Sequence, residues 1–149
     1  MGIKEEIKQT KFKSPKQKAM VNIYYTANWL RDTQHHLFKK HNILPQHYNI
    51  IRIVKGKNPT PVSPTEIKDV MLDKGRDLTR LVDKLEALGF LERRLCDDNR
   101  RKMEITITNL GLEICNKVEA EMSLEMSTKF NITDEEAETL SDLLDKLRT

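Results

Sequence analysis

Residues 63–108 read SPTEIKDVMLDKGRDLTRLVDKLEALGFLERRLCDDNRRKMEITIT, and their reading decides the fold. The stretch opens on Ser63-Pro64-Thr65-Glu66, which joins an N-cap hydroxyl, a proline at the first helical position and a glutamate three residues after the cap. Two otherwise orphaned amide donors find partners there, so a helix starts. After Met71-Leu72, the run Asp73-Lys74-Gly75 supplies turn chemistry. Leu78, Leu81, Val82, Leu85 and Leu88 then recur at helical spacing until Gly89 provides a stop. This second helix buries its Leu/Val face and presents Arg76, Asp77, Thr79, Arg80, Asp83 and Lys84 to solvent. The segment from Phe90 to Leu95 reads as a strand, and Met103, Ile105 and Ile107 alternate with Glu104, Thr106 and Thr108 as a half-buried strand does. Between them Asp97-Asp98-Asn99-Arg100-Arg101-Lys102 forms a hairpin with a basic tip. Helix, turn, helix, strand, basic tip, strand is the layout of a winged helix-turn-helix. The expected class is mainly α with a small antiparallel β-wing.

The flanks read as helices. From about Pro15 to His41, Met20, Ile23 or Tyr24, Ala27, Leu30, Leu37 and Phe38 recur with helical spacing, uninterrupted by Pro or Gly. A further helix is expected from about Pro45 to Lys55, burying Tyr48, Ile51 and Val54 before Gly56 and the turn Asn58-Pro59-Thr60-Pro61. After Thr108, a candidate cap, Leu110, Ile114, Val118 and Met122 line another helix. Thr133-Asp134-Glu135-Glu136 is a second capping box, with Ile132 and Ala137 as its staple, and Leu140, Leu143, Leu144 and Leu147 share one face of the last helix. The expected organisation is a single domain over 1–149, with dimerisation helices at about 15–41 and 109–149 and a DNA-binding lobe at about 45–108. The terminal helices carry more apolar surface than so small a lobe can cover, which points to pairing with a second copy.

A chain of 149 residues with 38% hydrophobic content can bury one core. No apolar run approaches the roughly 20 residues that span a bilayer, and the lysine-rich start lacks an apolar signal core, so a cytoplasmic location is expected. Cys96 and Cys115 make neither a zinc pattern nor a disulfide framework. The net charge of +3 is unevenly placed: +4 over 1–18, +5 over 19–62, zero over 63–108 and −6 over 109–149. Because the motif itself is neutral, the case for nucleic acid rests on where its bases stand rather than on bulk charge.

The run LTRLVDKLEALGFLERR, followed by DDNRRKMEITIT and NLG, resembles the MarR family of bacterial transcription regulators, collinearly from Leu72 to Gly111. Weaker likeness extends over nearly the whole chain. Asn99 departs from the pattern, standing where the family usually carries a second Asp in its wing. The resemblance implies a two-fold dimer built by the terminal helices, which agrees with the apolar stripes.

The expected function is a dimeric, sequence-specific DNA-binding regulator, a repressor, reading a pseudo-palindromic operator in double-stranded DNA, with a small-molecule effector as a candidate partner. Arg76, Asp77, Thr79 and Arg80 face the major groove, where Arg can pair bidentately with guanine. Arg100 and Arg101 enter or flank the minor groove. Lys74, Lys102 and the amides near Ser63 to Glu66 are phosphate candidates. A winged-helix interaction module that does not read DNA is the alternative. An enzyme is not expected, since there is no Gly-rich phosphate loop, nucleophile–base pairing or metal-ligand spacing, and no cofactor is assigned. His35, His36, His41 and His47 read as surface or hinge residues rather than a metal sensor. Cys96, beside Arg93 and Arg94, is a candidate redox thiol, with a strand-end structural cysteine the favoured reading. Tyr24, Tyr25 and Trp29 are candidate lining of an effector pocket, against the commoner role of core aromatics.

Overall fold

The computed structural model describes residues 1–75, 77–96 and 102–149. Its elements run α1 (Ile3–Glu6), α2 (Pro15–Lys39), α3 (Pro45–Lys57), α4 (Pro64–Val70), α5 (Leu78–Ala87), β1 (Leu91–Leu95), β2 (Met103–Ile107), α6 (Asn109–Lys129) and α7 (Asp134–Arg148). Side-chain caps mark most helix starts. Ser14 Oγ accepts from Gln17 N at 3.1 Å ahead of α2. The expected capping box opens α4, with Glu66 N donating to Ser63 Oγ at 3.2 Å and Ser63 N to Glu66 Oε2 at 3.4 Å. A second box opens α7, closed by Thr133 N to Glu136 Oε2 at 2.8 Å. Gly89, with φ +81°, turns the chain out of α5 in a conformation that costs a side-chain-bearing residue strain.

β1 and β2 pair antiparallel with Leu91 opposite Ile107, Arg93 opposite Ile105 and Leu95 opposite Met103. Val62, just ahead of α4, adds a single bridge to Ile105, so the base of the hairpin is tied to the start of the helix-turn-helix. The core gathers Leu37 and Phe38 from the end of α2, Ile50, Ile51 and Val54 from α3, Ile67 from α4, Val82 and Leu85 from α5, Leu91 and Ile105 from the sheet, and Cys115 and Val118 from α6.

Two features go beyond the sequence reading, and two readings change. α1 is not foreshadowed by any periodicity. α4 ends at Val70, because Met71 is already extended with ψ 142°. The buried face of α6 is not the one Leu110 marks: Leu110 is 49% exposed, while Gly111, Ile114, Cys115 and Val118 are buried. The cause is a backbone contact, since a Cβ on Gly111 would sit 2.2 Å from the Phe90 carbonyl oxygen and 2.8 Å from Ile107 Cγ1. Finally, His47 is a core residue. It is 3% exposed, and its Nδ1 accepts from Leu44 N at 2.8 Å, capping α3 where Leu44 offers no side-chain acceptor.

Two of the other histidines, His36 and His41, fall at the joint between α2 and α6, while His35 is exposed. His36 Nε2 lies 2.7 Å from Glu125 Oε1, Lys40 Nζ 2.8 Å from Glu121 Oε2, and His41 Nε2 3.3 Å from Glu121 Oε1. Burial alone would raise the Glu121 carboxyl; the bonds from Lys40 and His41 outweigh it and hold the group below its usual range. On α3, Lys55 Nζ reaches Asn116 Oδ1 at 2.8 Å and Glu119 Oε2 at 3.1 Å.

Two predictions follow from this packing. Gly111→Ala forces backbone against backbone and is expected to cost about 1–3 kcal/mol in urea unfolding; an unchanged midpoint would show that α6 and β1 can part freely. Burial, with a smaller push from Lys84, lowers His47 to about 4. The unfolded chain therefore binds the extra proton between about pH 6.5 and 4, so stability is full above that window and lost as pH falls through it. His47→Gln keeps an acceptor that can reach back to Leu44 N but does not titrate. The wild type should lose about 2 kcal/mol more than this variant between pH 7 and pH 4.5, and parallel stability curves would refute the assignment.

Candidate nucleic-acid interface

Of the side chains singled out for DNA reading, Asp77, Thr79 and Arg80 stand where α4 and α5 meet. Asp77 caps α5, its Oδ1 accepting from Arg80 N at 3.4 Å while its Oδ2 lies 3.6 Å from Arg80 Nε. Thr79 and Arg80 follow on the outer face, opposite the buried Leu81, Val82 and Leu85. The Arg80 side chain is 88% exposed. A shallow groove beside them is lined by Pro64, Thr65, Lys68, Asp69, Asp77 and Thr79. Lys68 was not among the expected contacts, although its place on α4 and its exposure put it on this groove.

Lys74 is exposed in the turn before α5, held there by Gly75 N donating to Asp73 Oδ1 at 3.1 Å. Lys102 is exposed at the foot of β2, where its carbonyl accepts from Cys96 N at 2.8 Å and extends the ladder one step beyond Leu95. Arg76, Arg100 and Arg101 lie outside the described residues, as do Asp97, Asp98 and Asn99. Lys84, expected on the solvent side, is half-buried against the part of α3 that holds His47.

Arg93 has a role that periodicity does not reveal. It stands on the same side of β1 as Leu91, yet its guanidinium leaves the core for the rim of α5. Arg93 Nη2 lies 2.6 Å from Asp83 Oδ1 and 3.1 Å from Glu86 Oε1, and Arg93 N donates to Glu86 Oε2 at 3.1 Å. The bond from Arg93 holds the Glu86 carboxyl below its usual range, and Glu86 in turn raises the guanidinium. The readable signal was two acids three apart on one helix face, a glycine turn, and an arginine at an inward strand position. The wing is thereby tied to α5 by a charged clamp as well as by apolar packing.

Cys115 is fully buried, and burial pushes its thiol up, as expected of a core cysteine; Cys96 is half-buried at the end of β1. Among the described residues, no group of three or more His, Cys, Asp or Glu side chains is placed to hold a metal ion, and no helix is long and apolar enough to cross a membrane. Trp29 stacks obliquely against Phe130, with ring centroids 6.0 Å apart, while Tyr24 is 66% exposed.

A two-helix unit with an exposed second helix and a clamped hairpin defines a winged helix-turn-helix protein. No family model matches the chain. The HTH-type transcriptional regulator PecS of Dickeya dadantii (strain 3937) is 26% identical over 83 residues, 55% of this chain, and the match spans only 50% of PecS. The HTH-type transcriptional regulator SarZ of Staphylococcus haemolyticus (strain JCSC1435) is 25% identical over 118 residues, 79% of this chain and 78% of SarZ. A mutant MarR from E.coli complexed with operator DNA superposes at TM-score 0.71 and 22% identity, covering 99% of both chains. The chain has the winged-helix fold of the MarR transcription factors, which bears out the likeness read from its sequence.

The clamp can be tested directly. Arg93→Ala leaves Asp83 and Glu86 facing each other without a cation and is expected to lower stability by about 1 kcal/mol, discounted for the partial exposure of both carboxylates. It should also speed amide exchange along β1 and β2 more than in α3. Uniform exchange changes across both regions would count against a local clamp.

Proposed function

We propose that this chain is a homodimeric, sequence-specific DNA-binding transcriptional regulator, acting as a repressor in the cytoplasm. The observation that carries the reading is α5: a capped helix whose apolar face packs on the core, while Thr79 and Arg80 stand exposed on the other side, flanked by Thr65 and Lys68. A helix so presented fits the major groove, with Arg80 donating to a guanine edge and Thr79 meeting a thymine methyl or a phosphate. Asp77 orients Arg80 in the free protein, and that weak pair yields when a base replaces it. Arg76 is assigned to the same groove, and Arg100 and Arg101 to the neighbouring minor groove. Lys74, Lys102, Lys68 and the first amides of α4 hold phosphates, which adds affinity without sequence information.

Dimerisation is part of the proposal because α7 has no buried residue, with Leu140, Leu143 and Leu147 each more than half exposed. Two copies related by a two-fold axis present two recognition helices to a pseudo-palindrome. The operator-bound MarR structure and the likeness to PecS and SarZ support this reading over an interaction module that ignores DNA.

The experiment is a gel shift at graded salt on DNA flanking the protein's own gene. Arg80→Ala and Arg76→Ala should each cost roughly 1–3 kcal/mol and relax preference at a defined base position. Lys68→Ala, Lys74→Ala, Arg100→Ala and Arg101→Ala should weaken binding evenly across sequences and flatten the salt slope by about one unit per lost phosphate contact. If all of these leave affinity and sequence preference unchanged, α5 and the wing do not read DNA.

A further inference from the structure

Residues 1–18 and 131–149 carry opposite net charge, and apart from the pair between Arg148 and Asp145 neither block enters an ion pair among the described residues. α1 folds back along α2, with Ile3 buried and the Tyr25 hydroxyl donating to Glu6 at 2.7 Å. The loop between α1 and α2 therefore sits at the start of the long helix, and Lys8, Lys11, Lys13, Lys16 and Lys18 collect there. Residues 1–18 hold six lysines against two glutamates, and one of those glutamates, Glu6, is taken by Tyr25. None of the lysines enters an ion pair among the described residues.

At the other end, residues 131–149 hold six acids against two bases. In α7, Glu135, Glu138 and Asp142 lie on the side away from the leucine stripe, as a 3.6-residue repeat requires, and they too have no ionic partner among the described residues. The two blocks do not meet in one protomer, because α7 buries nothing. α2 also outruns its neighbour: Phe130, one residue past the end of α6, meets Trp29, leaving residues 15–28, roughly 20 Å of helix, to project beyond that contact.

We infer that the lysine tip at residues 8–18 of one copy straps over the acidic outer face of α7 of the other. This rests on the homodimer reading above. With the leucine stripe turned inward onto the second copy, Glu135, Glu138 and Asp142 face outward, where the tip ahead of that copy's α2 overhangs them. A two-fold axis makes the exchange reciprocal, so both charge blocks of both chains are satisfied by one interface, and no third partner is called for. The strap supplies register and electrostatic preference for a second copy, while the leucines supply the apolar area.

The test is a pair of charge-reversed full-length chains, K11E/K13E/K16E/K18E and E135K/E138K/D142K, each checked for helix content and followed by sedimentation at about 0.05 M and about 0.5 M salt. Each reversed chain should dissociate about tenfold more readily than the wild type at low salt, and the difference should shrink at high salt. Mixed together they should form the mixed dimer in preference to either homodimer, because each acidic segment then faces a basic one. If a reversal fails to fold, the matching glutamine substitutions give the same low-salt weakening. Reversed chains that dimerise like the wild type and mix at random overturn the strap. So does a lysine-tip variant that loses only DNA affinity, which would assign the tip to nucleic acid. A wild type that is monomeric at micromolar concentration overturns the homodimer reading itself, and the strap with it.

Discussion

The hydroxyl of Thr108 joins three parts of the molecule at one atom. It donates to the Gly89 carbonyl at 2.5 Å and accepts from Gly111 N at 3.0 Å, while the Thr108 amide donates to the Phe90 carbonyl at 3.1 Å. The turn that ends α5, the strand that leaves the wing and the first turn of α6 are thereby held within a few ångströms of one another. Everything else in the lobe is compatible with that junction. Gly89 takes the left-handed turn, Gly111 gives up its side chain so that α6 can lie against the Phe90 carbonyl, and the wing's register follows from where its two ends are pinned.

Along α6, the way the helix is held changes with distance from that junction. Its first turn is held by backbone contact at Gly111, its next two by apolar burial of Ile114, Cys115 and Val118. Glu121 and Glu125 then meet Lys40, His41 and His36, and beside Glu125 both Leu124 and Met126 are exposed. Apolar packing near the lobe is shape-specific and stiff, whereas partly exposed ion pairs are weaker and tolerate sliding. The helix is thus held stiffly where it meets the winged-helix lobe and more loosely further out, where its apolar side chains are exposed.

Much of this was legible because it is local. A capping box, a proline at the first helical position, a glycine stop and an alternating strand each act within a few residues, and all of them stand where the sequence put them. What escaped was set by distant chain. Leu110 has the right spacing for burial, but the closeness of Phe90 to Gly111 rotates the helix away from it. His47 looks like any surface histidine until α3 packs and leaves it as the cap of its own helix. Arg93 reads as a wing base until the turn at Gly89 lays it across Asp83 and Glu86. Of the side chains proposed to read DNA, the exposure of Thr79 and Arg80 was readable from the leucine spacing opposite them, whereas Lys68 was passed over because α4 is too short to show a polar face by periodicity.

The even balance of acids and bases over residues 63–108 looked unfavourable for a phosphate-binding surface, and the geometry explains how the two coexist. Among the described residues of that stretch, the acids apart from Asp69 and Glu92 are engaged locally. Glu66 and Asp77 cap helices, Asp73 closes a turn, Asp83 and Glu86 hold Arg93, and Glu104 faces Arg94 across the sheet. Of the described bases, only Arg93, in its clamp, and Lys84, on the buried side of α5, are half-buried. Lys68, Lys74, Arg80 and Lys102 stay outside. A carboxylate paired with a guanidinium has much of its field cancelled by that partner, while an exposed lysine or arginine with no acid beside it projects most of its own. The surface is therefore more basic than its composition. Its acids act as fasteners of the scaffold, so the outward charge is set by fold rather than by count.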